Sequence, residues 1–264
     1  MTDEPRDDPT EAEVQATPPR PPIDSALARA VLVDGEIEIL GRLHGSSNHA
    51  MLCRVRRVCP PPDASIEIEA VYKPTAGERP LDDFPDENLS HREVAAYLAS
   101  EAIGWGIVPP TIRRDGPFGD GSLQLWIDVD PTVDVVAMVL EDDPRLRRIA
   151  VFDAAVNNTD RKGGHLLPTV DGRILGVDHG VTFSTVPKLR TVLWGWRGQP
   201  FAPDELAGLT RLGDALRGDL ARDLAGLLSR GEIAATRRRI DRLLETRRFP
   251  LPRPDWPAIP WPPF

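Results

Sequence analysis

Residues 151–180 read VFDAAVNNTDRKGGHLLPTVDGRILGVDHG, and the fold follows from how this stretch divides. From Arg147 to Asn157, apolar residues recur at helical spacing (Ile149, Phe152, Ala155, Val156), and the pattern stops at the polar pair Asn157-Asn158. A polar loop, TDRKGG, follows. Two short apolar runs, HLLPTV and RILGV, then flank Asp171-Gly172, and Asp-Gly between such runs is a strong hairpin signal. The second run ends on Asp178-His179-Gly180. A hairpin brings its ends together, so Asp160 just before it and Asp178 just after it are expected side by side.

TDRKGGH resembles the catalytic loop of the phosphatidylinositol 3- and 4-kinases, whose pattern is Asp-Arg-His-x-x-Asn. Asp178-His179-Gly180 is similar to their Asp-Phe-Gly. Asp160 and Arg161 match. Lys162 stands in the His position, and His165 stands where the metal-binding Asn belongs. The likeness covers roughly residues 30–215 and is closest to a bacterial branch of that family. It implies an α+β, two-lobed protein-kinase-like fold, with a small antiparallel-sheet lobe and a mainly helical second lobe. It also implies an ATP-dependent phosphotransferase that moves the γ-phosphate to a hydroxyl of a lipid, small-molecule or protein acceptor. Asp160 would be the catalytic base, Lys162 would lie beside the nucleotide, and Asp178 with His165 would hold Mg²⁺ or Mn²⁺. A nucleotide-binding pseudokinase acting as scaffold or sensor, favoured by His165, and a nucleotidyltransferase on the same fold are the alternatives.

Upstream lie three strand patterns, GEIEILGRL, AMLCRVRRV and SIEIEAVYK, the first and third alternating with period two. Gly45, Ser46, Ser47 and Asn48 join the first pair. Small residues there let backbone N–H groups approach a phosphate, and they equally suit a plain hairpin turn. Lys73 ends the third strand, where kinases keep the lysine that grips the ATP phosphates. Of 32 basic residues only Lys73, Lys162 and Lys188 are lysines, which suggests a retained need for a compact ammonium. Ser90-His91-Arg92-Glu93 reads as a capping box opening the helix HREVAAYLASEAIG. The resemblance wants a helix glutamate for Lys73, and both Glu93 and Glu101 qualify. SLQLWIDVD reads as a strand; with Asp130-Pro131 and the helix TVDVVAMVLED after it, it resembles the kinase interlobe hinge. That resemblance implies that the backbone from Trp126 to Asp128 binds adenine, and the pattern equally suits a plain strand end.

Downstream, VTFSTVPKLRTVLWGWRGQPF stands in the position of an activation segment, with Lys188, Arg190 and Arg197 available to phosphates and Trp194 and Trp196 for packing. Residues 203–246 are apolar at the 3.6 period, and TRRRIDRLLETRR reads as a solvated helical face. The tail FPLPRPDWPAIPWPPF is too proline-rich for a helix and either packs by its tryptophans or binds an aromatic groove on a protein partner.

At 264 residues the chain suits two small lobes sharing a cleft. The expected division is an acidic, disordered tail over 1–22, a nucleotide-binding lobe over 23–128, a catalytic lobe over 129–248 and the Pro/Trp-rich tail over 249–264. A net charge of −9 argues against nucleic acid and anionic surfaces as partners. No long apolar run or basic-then-apolar leader is seen, so a cytoplasmic protein without a membrane segment is expected. Cys53 and Cys59 suit neither a disulfide framework nor a metal site.

Overall fold

A computed structural model describes residues 20, 22–43, 49–59, 65–78, 81, 84 and 88–264. The expected tail over 1–22 falls outside them except for Arg20 and Pro22, and the phosphate-loop candidates Gly45, Ser46, Ser47 and Asn48 fall outside them entirely.

Helix α1 (Ser25–Asp34) opens the described chain, its N-cap Asp24 accepting the Leu27 N–H. Strands β1 (Glu36–Arg42), β2 (Met51–Val58) and β3 (Ser65–Pro74) form an antiparallel meander. After helix α2 (Leu89–Ile103), the hairpin of β4 (Thr111–Gly116) and β5 (Gly119–Leu125) adds to β3 and completes a five-stranded sheet, β1-β2-β3-β5-β4.

The alternation in β3 decides which way its lysine points. Ile68, Ala70 and Tyr72 are buried with Ala28, Val31 and Leu32 of α1. Successive side chains on a strand face opposite sides, so Glu69, Val71 and Lys73 line the other face. Tyr72 fixes the far corner: its hydroxyl donates to the Gly119 carbonyl, and a Cβ at Gly116 would lie 2.7 Å from its ring.

The second half is mainly helical: α3 (Val135–Leu140), α4 (Arg147–Val156), α5 (Pro203–Ala215), α6 (Asp219–Leu224) and α7 (Arg230–Thr246). A two-stranded hairpin, β6 (Leu166–Pro168) with β7 (Ile174–Gly176), stands among them. Its turn is at Asp171-Gly172, where Gly172 takes φ 81°. The architecture is α+β, with the antiparallel sheet and α1 in one lobe and most of the helices in the other. The larger apolar core joins α4, α5 and α7 to Val94, Tyr97 and Ile103 of α2, so the helix between the sheet strands packs on the helical lobe. Arg211 of α5 donates to the Ile103 carbonyl at 2.8 Å and closes that contact.

Two local expectations are corrected. Helix α2 starts at Leu89 without a Ser90 capping box; its first N–H groups, of Leu89 and Ser90, donate to the Glu78 carboxylate at 2.8 and 2.7 Å. The arginine-rich face of α7 is not wholly solvated. Arg239 donates to the carbonyls of Ala155 and Ser184 at 2.9 and 2.8 Å, and burial lowers its guanidinium to about 10.

Candidate active site

Helix α4 ends where its backbone turns left-handed at Asn157 (φ 57°), a conformation that asparagine tolerates better than most residues. The Asn157 amide donates to the carbonyls of Ser184 and Val186, tying the later segment to the helix end. Asn158 donates to Asp153 Oδ1 at 3.0 Å and accepts the Asp160 N–H at 3.0 Å, which shapes the loop carrying Asp160. Arg161 runs inward, fully buried, and makes a bidentate pair with the equally buried Asp153 at 2.8 and 3.0 Å. Its remaining N–H groups donate to the Val177 carbonyl at 2.8 Å and to His179 Nε2 at 2.8 Å. Such a pair holds the loop to the helix because removing either partner leaves a buried charge unpaired. Sequence reasoning missed Asp153. The signal was a carboxylate in an otherwise apolar helical run, which predicts a buried cation nearby.

Since arginine only donates, His179 Nε2 must accept, so His179 is neutral with its proton on Nδ1. That atom has no partner among the described residues. Burial pushes the imidazole well below its usual range. The ring meets Phe152 edge-on at 5.7 Å, and its backbone N–H donates to Glu93 Oε2 at 2.9 Å.

Lys73, Glu93 and Asp178 meet in the cleft between sheet and helices. The Lys73 ammonium pairs with Glu93 Oε1 and stands 3.0 Å from Asp178 Oδ1. Of the two glutamates open from the sequence, Glu93 is therefore the one beside Lys73, while Glu101 is exposed. Burial lowers the ammonium, but Asp178 and Glu93 outweigh it and the group is raised, hence firmly charged. The Lys73 charge in turn holds the Asp178 carboxyl well below the usual carboxylate range. Burial pushes Glu93 up against the pull of Lys73. Asp178 takes φ 59° and leaves half of its side chain open to the cleft.

His165 Nε2 lies 3.3 Å from Asp178 Oδ2, and its Nδ1 accepts the Lys162 N–H at 3.4 Å. That polarity puts the neutral ring's proton on Nε2, directed at Asp178. Burial lowers the His165 pKa; the carboxylates of Asp178 and Asp160 both raise it, so the ring lies within the field of both. Asp160 is flanked by Lys162 Nζ at 3.4 Å and Arg190 Nη2 at 3.4 Å.

Part of the stretch expected to bind adenine, Trp126 to Asp128, has partners within the chain. The Trp126 N–H, one of the groups expected to face adenine, donates to the Glu69 carbonyl at 3.0 Å, and its indole donates to Asp128 at 3.0 Å. Asp128 is clamped by Arg20 at 2.7 Å, and these hydrogen bonds pull its carboxyl down to about 2. Arg20, placed in the acidic tail from the sequence, is thus held to Asp128, just past the end of β5. A cavity of about 180 Å³ lies along Trp126, Ile127 and Asp128, with Ile68, Val108 and Leu175 in its wall. Neither Lys73 nor Asp178 lines it.

The charge of the cleft suits a metal ion. One ammonium between two carboxylates leaves one negative charge in excess, which a divalent cation would neutralise. Among the described residues no group of three or more His, Cys, Asp or Glu side chains could hold a metal alone. Mg²⁺ that travels with ATP asks for less: one or two carboxylates, with phosphate and water oxygens completing the shell. Asp178 fits that requirement.

No protein-family model matches the chain. It is 44% identical to Protein Rv2133c of Mycobacterium tuberculosis over 270 residues, spanning 89% of this chain and 95% of that protein. The chain belongs to the family of Rv2133c. A more distant relative is phosphatidylinositol 4-kinase gamma 4 of rice (Oryza sativa subsp. japonica), 27% identical over 138 residues. That match spans 44% of this Rv2133c-family chain and only 24% of the rice protein. Among solved structures, the Helicobacter pylori proinflammatory kinase CtkA aligns with 81% of this chain and 93% of its own, with a TM-score of 0.45 and 12% identity. No helix among the described residues is long and apolar enough to cross a membrane.

Proposed function

We propose that this Rv2133c-family chain is an ATP-dependent phosphotransferase of the phosphatidylinositol 3-/4-kinase-like type, which moves the γ-phosphate of ATP to a hydroxyl. The observation that carries the reading is the Lys73 ammonium held between Glu93 of α2 and Asp178 beyond the hairpin. Three distant stretches of sequence meet there in the arrangement that phosphoryl transfer needs for positioning and for charge neutralisation. The partial likeness to the rice phosphatidylinositol 4-kinase supports the same class.

In this reading Lys73 binds phosphate oxygens, and Glu93 keeps its ammonium aimed. The acceptor oxygen bonds to the γ-phosphorus as the bond from that phosphorus to the β–γ bridging oxygen breaks, and ADP leaves. Asp160 takes the hydroxyl proton, its carboxylate oriented by Lys162 and Arg190. Mg²⁺ or Mn²⁺, when bound at Asp178, would neutralise charge on the phosphates. A second reading, nucleotide binding without turnover, is favoured by one observation: His165 presents a ring proton to Asp178 where the resemblance expects an asparagine oxygen for a second metal.

Incubation of the purified chain with γ-labelled ATP, either metal and a cell extract separates the two. Asp178→Ala should abolish metal-dependent ATP binding, and Lys73→Met should weaken it. Asp160→Asn should keep ATP affinity and slow transfer by roughly 10²-fold or more. Unaltered transfer in Asp160→Asn would remove the mechanism, and ATP binding without any transfer would establish the second reading.

A further inference from the structure

The C-terminal tail folds back onto the loop that carries Asp160. Its Pro263 carbonyl accepts the Gly163 N–H at 2.8 Å, and its Ala258 carbonyl accepts the N–H of Thr191 at 3.0 Å and the indole of Trp194 at 2.8 Å. Trp256 donates to the Lys188 carbonyl at 3.0 Å, and the Lys188 ammonium stands 5.4 Å over its ring. The Phe264 ring lies flush against Gly163: a Cβ at that glycine would come within 2.1 Å of the ring. Gly163 is buried, although it belongs to a loop that opens on the cleft.

The surface so covered adjoins Asp160 on both sides. Residues 190–192 run beside the catalytic loop, with Arg161 N–H donating to Arg190 and Val192 N–H donating to Arg161. Arg190 reaches Asp160 itself. The tail's bonds fall on this side, whereas Lys73, Glu93 and Asp178 are bonded to one another across the cleft.

The tail is held to that surface by the hydrogen bonds at Ala258 and Pro263 and by the Trp256 and Phe264 side chains. It contains no helix or strand, and it leaves Ile259 53%, Trp261 87% and Phe264 45% exposed.

We propose that residues 256–264 are an intrasteric strap, which covers the acceptor side of the catalytic loop and must lift before a hydroxyl reaches Asp160. The proposal rests on the phosphotransferase reading and adds the regulation of that site. The strap leaves the nucleotide side open, so ATP binds equally well with the tail closed or lifted, and only turnover responds.

The test uses the full chain and the double variant Trp256→Ala/Phe264→Ala, with water as the acceptor and ADP and inorganic phosphate as products. If the strap is closed about 90% of the time, lifting it raises turnover about tenfold, with ATP affinity unchanged. Amide exchange at Gly163 and Thr191 should quicken in the variant, and a synthetic peptide of residues 256–264 should slow it again. Turnover that stays level or falls while those amides exchange freely overturns the strap. If neither protein binds ATP, the phosphotransferase reading fails, and binding of the labelled peptide decides the strap alone. Capture by the double variant and not by the parent chain upholds it; no capture by either ends it.

Discussion

Asp178 does two things that conflict in an ordinary carboxylate. It must stay ionised among close neighbours, and it must project from a strand end into the cleft. Lys73 secures the first by holding its pKa low. The left-handed backbone at φ 59° secures the second by breaking from the strand direction. His165 then caps the free oxygen, and its ring polarity follows from the Lys162 N–H on the opposite nitrogen. An imidazole that reorients to bind a metal suits Mn²⁺ better than Mg²⁺, whereas an amide oxygen suits Mg²⁺. Substituting His165→Asn should therefore shift the metal preference of ATP binding toward Mg²⁺. Titrating ATP into both proteins with each metal checks this; indistinguishable preferences would leave His165 as a hydrogen-bond partner of Asp178 only.

At the scale of elements, the start of α2 shows why its glutamate can serve the cleft. A capping box would have turned Glu93 back on its own helix end. Glu78, from the loop after β3, satisfies the first N–H groups instead. Glu78→Ala should thus cost about 0.5–2 kcal/mol of stability, the range for losing a helix cap. Ser90→Ala should cost less, since the Ser90 hydroxyl bonds to Thr75 and not to the helix end. Chemical denaturation of the two variants ranks them, and the reverse order would restore the capping box. The same contrast explains what was legible in the sequence. The strands of the meander read clearly because one face of β3 is buried against α1 and the other lines the cleft, which writes a period of two into the residues. The α4–loop–hairpin unit read clearly because Asn157 and Asp171-Gly172 are local punctuation. The cap from Glu78, the Asp153–Arg161 pair and the Arg20 clamp on Asp128 join residues far apart or on different elements, and no local pattern records such partners. The tail read as unfit for a helix, but nothing in its own composition says that Gly163 lies beneath Phe264.

At the scale of the whole molecule, the two lobes must be held in register for Lys73 and Asp178 to meet. One buried side chain does much of this. Arg92, 2% exposed, donates to Glu232 of α7 at 2.5 Å, to the Thr182 carbonyl at 2.6 Å and to Asn88 at 3.0 Å. Its guanidinium also stacks 4.7 Å from Phe84. It therefore joins α2, the segment after Asp178 and α7, while Glu93 beside it faces Lys73. Removing one member of a buried ion pair costs about 3–5 kcal/mol, because the other is left charged and unpaired. Arg92→Leu should lose about that much, and Glu232→Leu a comparable amount. The double variant removes the orphaned charge, so its loss should fall well short of the sum. Glu232 also accepts from the Ser229 backbone and hydroxyl at the start of α7, so the double variant should not recover fully. If Arg92 serves register and not stability alone, the double variant should still bind ATP more weakly than the parent at a temperature where both are fully folded. Unfolding midpoints and ATP affinities for the four proteins of this cycle give both answers. Strict additivity in stability, with unchanged affinity, would assign Arg92 to packing alone and leave the register of the cleft to the α2–α5 contact.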